Sequence, residues 1–155
     1  MKERYKELQK KHGLPRYEDL DREFELLYVG AIQEVQFVLR FVRRRMNDKL
    51  VNACTMVQSL LQPNPGSFVN LQESSFLSKE EKRECSELLK EIMEVERWSV
   101  VLDVESDERK EAEFVKELYK RWLAWKPRVV RLGKKVVEGW KSLELKEEKQ
   151  ERYFS

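Results

Sequence analysis

The fold is decided by residues 31–61, which read AIQEVQFVLRFVRRRMNDKLVNACTMVQSLL. Apolar side chains recur along this stretch every three or four positions, the spacing that places them on one face of an α-helix. Phe37, Val38 and Phe41 widen that apolar face, and so wide a face is typical of a helix that packs on more than one side. Gly30 and Pro63 bound the pattern. We therefore predict one long central helix over residues 31–61.

Helical spacing continues on both sides of this segment. Before it, the pattern predicts a short helix over residues 2–12 that ends at Gly13, and a second helix that opens at Pro15, because proline is tolerated in the first turn. After it, we expect residues 63–77 to form the main loop, since the prolines and the glycine at its start cannot continue a helix. Apolar side chains in this loop should tie it to the core.

Two later helix starts carry recognisable signals. Ser78 and Glu81 form a capping box, in which each residue's side chain bonds the other's backbone N–H. Ser106 is followed by two acidic residues, which are favourable in the first turn of a helix. We expect Pro127 to kink or break the helix that starts there, and a last helix to follow as far as residue 143.

The fold class is therefore all-α, a single-domain helical bundle of five to six helices with one long central helix. We place the domain at residues 1–143 and a frayed C-terminal tail at residues 144–155, where the periodicity is lost. The predicted core contains apolar residues from three of these helices: Leu39, Val42, Met46, Leu88, Ile92, Leu118 and Trp122.

Composition narrows the class of protein. Charged residues make up 39% of the chain and apolar residues 41%, so the chain can form a core, and its charge fits either a protein from a hot environment or one built from long helices. Cys54 and Cys85 form no disulfide framework and are expected to be small buried thiols. The charged N-terminus does not resemble a signal peptide, and no stretch is apolar enough to span a membrane. We therefore predict a cytoplasmic protein.

Several short motifs, taken in order, resemble a known family. They are Leu8 to Glu25 around Gly13-Leu14-Pro15, the run Leu39 to Arg45, Phe76 to Lys82, and Glu111 to Val115. Their order resembles a family of small, all-helical archaeal proteins with no assigned activity, over residues 5 to about 143. The resemblance implies a cytosolic archaeal protein, and it brings no catalytic residues.

Catalysis is difficult to build from this sequence. His12 is the single histidine, and its position before Gly13 is typical of a cation that helps to satisfy a helix C-terminus. Zinc and di-iron sites need several His or Cys ligands. We therefore assign no catalytic residue, cofactor or metal ligand. A magnesium-dependent, all-α nucleotide pyrophosphohydrolase is a distant third hypothesis, based on the acidic residues Glu80, Glu81, Glu84, Glu105 and Glu108.

Nucleic-acid binding is the alternative hypothesis. The candidate contacts are basic residues from two helices: Arg43, Arg45, Arg128, Arg131, Lys134 and Lys135. Basic groups supply affinity for phosphates, and the interleaved Trp122, Trp125 and Trp140 could stack on bases. However, the tryptophans fall on core spacing, and the net charge is only +2. Pairing of the basic faces with the acidic helix over residues 79–105 explains the same charges equally well.

The favoured hypothesis is a non-enzymatic helical protein that acts through protein–protein contacts. Phe37 and Phe41 lie one turn apart beside Arg40 and Arg44, and aromatic residues next to arginines have the composition of interface hot spots. A protein partner or self-association is expected, with a homodimer as the simplest case. Nucleic acid is the alternative partner, and a membrane partner is disfavoured.

Overall fold

The computed structural model describes residues 2–26 and 37–154, with side chains as far as residue 143. Within these ranges the chain forms six helices and no strand, which confirms the predicted all-α helical fold. The helices are α1 (Lys2–His12), α2 (Tyr17–Phe24), α3 (Val38–Leu61), α4 (Phe68–Ser75), α5 (Lys79–Val104) and α6 (Glu108–Phe154). The predicted break at Gly30 and the first turns of the predicted central helix lie outside the described residues.

The chain divides into two compact units. Unit 1 contains residues 1–54 and 91–124, and unit 2 contains residues 55–90 and 125–155. Helices α3, α5 and α6 each contribute residues to both units. The prediction of a single domain over residues 1–143 stays a prediction.

In unit 1, the two N-terminal helices are held by aromatic side chains. Tyr5 is fully buried, and its hydroxyl donates to the carbonyl oxygen of Pro15 at 2.6 Å. Burial raises the pKa of this tyrosine. Its ring meets that of Tyr17 edge-on at 5.6 Å. Helix α1 ends at Gly13, as predicted, with the positive φ of 65° that glycine adopts without strain.

Helix α2 packs on the first half of α6 through Phe24, whose ring centroid lies 5.8 Å from that of Trp122. The indole N–H of Trp122 donates to Glu23 at 3.0 Å, so its polar edge is satisfied. Helix α2 begins at Tyr17 after the N-cap Arg16, so the prediction that it opens at Pro15 placed its start too early.

The predicted core is confirmed in the described residues. Each of its seven members is at most 6% exposed: Leu39, Val42, Met46, Leu88, Ile92, Leu118 and Trp122. The 3.6-residue period therefore identified the buried side of α3, α5 and α6 correctly.

In unit 2, part of the segment predicted as a loop is helix α4. Ser67 caps α4 by accepting from the backbone N–H of Asn70, and the buried Ser74 hydroxyl donates to the carbonyl oxygen of Leu60 at 2.8 Å. Phe76 packs edge-on against Trp140 at 5.5 Å. Of the apolar residues expected to tie this segment to the core, Leu77 is buried and Phe76 packs as described. Three others are exposed: Phe68, Val69 and Leu71.

The capping box at the start of α5 is confirmed. The backbone N–H of Glu81 donates to the Ser78 hydroxyl oxygen at 3.2 Å, and the backbone N–H of Ser78 donates to the Glu81 carboxylate at 3.1 Å. That backbone hydrogen bond is the main reason why the pKa of Glu81 lies below its usual value. The two bonds satisfy helix N-terminal donors that otherwise lack partners.

Helix α6 differs most from its prediction. It starts where predicted, with the Asp107 carboxylate accepting from the backbone N–H of Lys110 at 2.8 Å, but it passes through Pro127 and continues to Phe154 as one helix of 47 residues. The prediction that Pro127 breaks this helix is therefore wrong. Among the described helices α6, not α3, is the longest. Residues 144–154 belong to α6, and the prediction that they fray concerns their dynamics and stays a prediction.

Candidate functional site

A buried arginine lies between three helices of unit 1. The side chain of Arg43 on α3 is fully buried. Its Nε donates to the Glu111 carboxylate on α6 at 2.6 Å, and its Nη1 donates to the hydroxyl and the carbonyl oxygens of Ser99 on α5 at 2.8 and 2.9 Å. Its Nη2 donates to the Asp103 carboxylate at 2.7 Å. The guanidinium is therefore well paired, as a buried charge must be.

The acidic partners of Arg43 are held in turn by other groups. The other oxygen of Glu111, which is 2% exposed, accepts from the Ser106 hydroxyl at 2.8 Å. The hydrogen bond from Arg43 holds the pKa of Asp103 below its usual value, and Arg44, 3.4 Å away, adds to this effect. These contacts join α3, α5 and the start of α6 into a defined scaffold.

The predicted interface residues lie at the surface of this scaffold to different degrees. Phe37 is 61% exposed, and the guanidinium of Arg40 lies over its ring at 5.5 Å. The side chain of Arg44 is 59% exposed. Phe41 and Arg40 are half-buried. The prediction therefore holds best for Phe37 and Arg44 as accessible groups, while contact with a partner stays a prediction.

Sequence reasoning missed the contribution of α5 to this surface. Helices α3 and α5 run antiparallel in unit 1, because Arg44 pairs with Asp103 while Cys54 lies 3.6 Å from Met93. On α5, Val100 is 50% exposed and Val104 is 88% exposed. The sequence indicates this surface through two valines that are four residues apart and therefore lie on the same side of the helix as Met93.

These side chains lie on adjoining sides of α3 and α5, which the contact between Arg44 and Asp103 brings together, and we call this surface the α3/α5 face. Phe37 directly precedes α3, and its carbonyl oxygen accepts from the backbone N–H of Phe41. Phe37, Arg44 and Val51 are seven residues apart, so this spacing places them on the same side of α3. Val100 and Val104 share the adjoining side of α5. The α3/α5 face consists of Phe37, Arg44, Val51, Val100 and Val104 and of Asp103, which pairs with Arg44. Its apolar members are each at least 40% exposed, which makes it the surface of unit 1 best suited to bind another macromolecule.

A pocket of about 370 Å³ lies beside Phe37, between α1, the start of α3 and the start of α6. Glu108, an acidic residue that lines this pocket, is already paired with basic side chains. Glu108 lies 2.7 Å from the Lys11 ammonium and 2.8 Å from Nε2 of His12. The hydrogen bond from Lys11, followed by that from His12, lowers the pKa of Glu108 to about 2. His12 therefore has a structural role, closing α1 onto α6, whereas its sequence position predicted a role at the C-terminus of α1 itself.

The predicted nucleic-acid residues are placed differently. The prediction is wrong for Arg43, because a fully buried guanidinium presents no donor to a phosphate. Arg45 lies 3.7 Å from Asp48, and Lys135 lies 3.6 Å from Glu81. Arg128 is half-buried and already interacts within the chain, whereas Arg131 and Lys134 are exposed on α6.

The tryptophans predicted as stacking platforms are engaged elsewhere. Trp122 and Trp125 are buried. The Trp140 indole N–H donates to Glu73 at 3.1 Å, and its ring packs on Phe76. Their core spacing in the sequence therefore indicated their position correctly.

The acidic residues of the third hypothesis have other roles where the structure describes their contacts. Glu81 completes the capping box, and Glu108 pairs with Lys11 and His12. The described part of the chain contains no group of three or more His, Cys, Asp or Glu side chains that could hold a metal ion. None of the described helices is long and apolar enough to cross a membrane.

Comparison of the chain with protein-family models, with curated proteins and with solved structures finds no match. The resemblance to archaeal helical proteins therefore stays a prediction. The function has to be argued from the geometry of the α3/α5 face and its supporting residues.

Proposed function

We propose that this protein acts by binding another protein through the α3/α5 face, and that it catalyses no reaction. The supporting observation is that Phe37, 61% exposed, and Val104, 88% exposed, lie on a scaffold held by the buried Arg43. Exposed apolar side chains that cluster on one surface mark sites where proteins bind a partner.

The chemistry of the face suits a protein partner. The guanidinium of Arg40 lies over the ring of Phe37, and Arg44, one turn further along α3, is exposed. Aromatic and arginine side chains are enriched among the residues that dominate binding energy at interfaces. The helix that carries them is held to α5 and α6 by the hydrogen bonds of Arg43, and a side chain that is already ordered loses less conformational entropy on binding.

The test uses chemical crosslinking and affinity purification from the cells that make the protein. The tagged wild type is compared with Phe37→Glu and with the control Phe68→Glu, which replaces a phenylalanine of α4 that is 70% exposed. We expect Phe37→Glu to lose the crosslinked protein and Phe68→Glu to retain it. Loss in both variants, or in neither, contradicts the proposal.

Nucleic-acid binding is retained as the second candidate because Arg131 and Lys134 are exposed on α6. If it holds, replacing both residues with glutamine should weaken binding for every sequence tested and reduce its dependence on salt. Absence of measurable affinity for single- and double-stranded nucleic acid at low salt would exclude this candidate.

We further propose a cytoplasmic location and an archaeal source, with the high charge content as an adaptation to heat. The cytoplasmic location is supported by the two buried free thiols, Cys54 and Cys85. The heat adaptation is supported by ion pairs that join two helices, such as Lys2–Glu18 and Arg121–Glu94. An unfolding temperature in the range of ordinary mesophilic domains would contradict the heat adaptation.

A further inference from the structure

We infer that the partner of the α3/α5 face is a second copy of this chain, related by a two-fold axis parallel to α3 and α5. In this arrangement α3 of each copy lies over α5 of the other. The inference rests on the proposed function, because it identifies the partner of the same face.

The face is self-complementary in charge. Arg44 on α3 and Asp103 on α5 lie side by side, with side chains 59% and 44% exposed and 3.4 Å between the nearest N and O atoms. A partner that carried a single sign of charge would be repelled by one of them. A two-fold partner presents both signs, so each arginine can meet an aspartate of the other copy.

The same charges select one of two symmetric arrangements. If the axis ran across the helices, α3 would lie on α3 and α5 on α5, so Arg44 could not face Asp103 of the other copy. An axis at the level of Arg44 would also bring the two arginines together, which is repulsive. If the axis runs along the helices, α3 is carried over α5 at the same level. Arg44 then faces Asp103 of the second copy, and the pairing occurs twice.

The apolar side chains match in the same arrangement. Phe37 lies near the C-terminal end of α5, because it lines a pocket together with Ser106 and Asp107, just after that end. Val104 is the last residue of α5. An axis along the helices therefore brings Phe37 of one copy close to Val104 of the other, and each covers the most exposed apolar side chain of its partner helix.

Two single variants test this contact without disturbing the fold. Phe37→Glu places an acid at the N-terminal end of α3, and Val104→Lys places a base at the C-terminal end of α5. Both charges are favourable to the helix dipole at these ends, and both side chains are exposed. Mass is measured by sedimentation or light scattering, and folding is checked by circular dichroism.

We expect the wild type to have the mass of a dimer and each variant alone to have half that mass with unchanged helicity. An equimolar mixture of the two variants should regain the dimer mass. One of its two contacts then pairs the introduced glutamate with the introduced lysine, and the other still joins Phe37 to Val104. A mixture that stays monomeric while the wild type is dimeric overturns the arrangement.

The failure of this inference differs from the failure of the proposed function. A monomeric wild type that still crosslinks to a foreign protein through Phe37 overturns the second copy and leaves the proposed function intact. A monomeric wild type that crosslinks to no protein overturns both.

Discussion

Replacing Arg43 with methionine should cost more stability than any change at the surface. Methionine fills part of the same volume but removes the buried counter-charge of Glu111, whose side chain is 3% exposed, and leaves it the more distant guanidinium of the half-buried Arg40 at 3.9 Å. Removing one partner of a buried ion pair typically costs about 3–5 kcal/mol. The hydrogen bonds to Ser99 and Asp103 are lost as well, so we expect a loss in the upper half of that range.

The neighbouring Arg44 provides the matched control. Its side chain is 59% exposed, and its one described ion pair is the 3.4 Å contact with Asp103. Exposed pairs contribute about 0–1 kcal/mol, so Arg44→Met should change stability little. The double variant Arg43→Met with Glu111→Met should recover most of the loss, because it removes both buried charges together.

Urea unfolding followed by circular dichroism measures these differences. The slope of the free energy of unfolding with urea should be unchanged across the set, so that a shift in midpoint reports stability. The reasoning is refuted if Arg43→Met and Arg44→Met lose similar amounts. It is also refuted if Glu111→Met adds its own cost to that of Arg43→Met instead of reducing it.

Two further predictions concern α6. A Cβ atom at Gly139 would overlap the ring of Phe76, whereas one at Gly133 would meet nothing within 4 Å. We therefore expect Gly139→Ala to destabilise by about 1–3 kcal/mol and Gly133→Ala to stabilise by up to about 1 kcal/mol, both measured by urea unfolding. Since the pKa of Glu108 falls from 4.5 to about 2 in the folded chain, its contribution to stability is present above pH 4.5 and is lost as the pH falls toward 2. Unfolding midpoints of Glu108→Gln should therefore depend less on pH across that window than those of the wild type, and an unchanged slope would show that its ion pair does not form.

The helices were predictable where a local rule decides them. Ser78 and Glu81 are three residues apart, so the sequence predicts the cap at the start of α5 directly. Helix α4 was missed because the prolines and the glycine before it are typical of a loop, although Ser67 is a common N-cap residue. Pro127 does not break α6, and both it and Leu123 are exposed. The carbonyl oxygen that loses its donor is four residues earlier, at Leu123, on a side of α6 that water can reach.

The candidate site was less predictable because its contacts join distant parts of the chain. Arg43 is the first of three consecutive arginines in the sequence, and its acidic partners are 60 and 68 residues away. Its register with Leu39, Met46 and Leu50 on the buried side of α3 was the available signal. The exposed Phe37 was identified correctly from its position outside the core stripe. The exposed valines of α5 were not identified, because the antiparallel packing of α3 and α5 is tertiary structure and cannot be deduced from either helix alone.

The buried arginine also has a consequence for how relatives of this chain can diverge. Surface charges can change one at a time, but Arg43 is held by hydrogen bonds to Ser99, Asp103 and Glu111, and both Arg43 and Glu111 are buried. A relative that has lost Arg43 should also have lost Glu111, and we expect apolar residues at both positions. The residues at these four positions should therefore help to recognise a distant homologue whose helix surfaces no longer align with those of this chain.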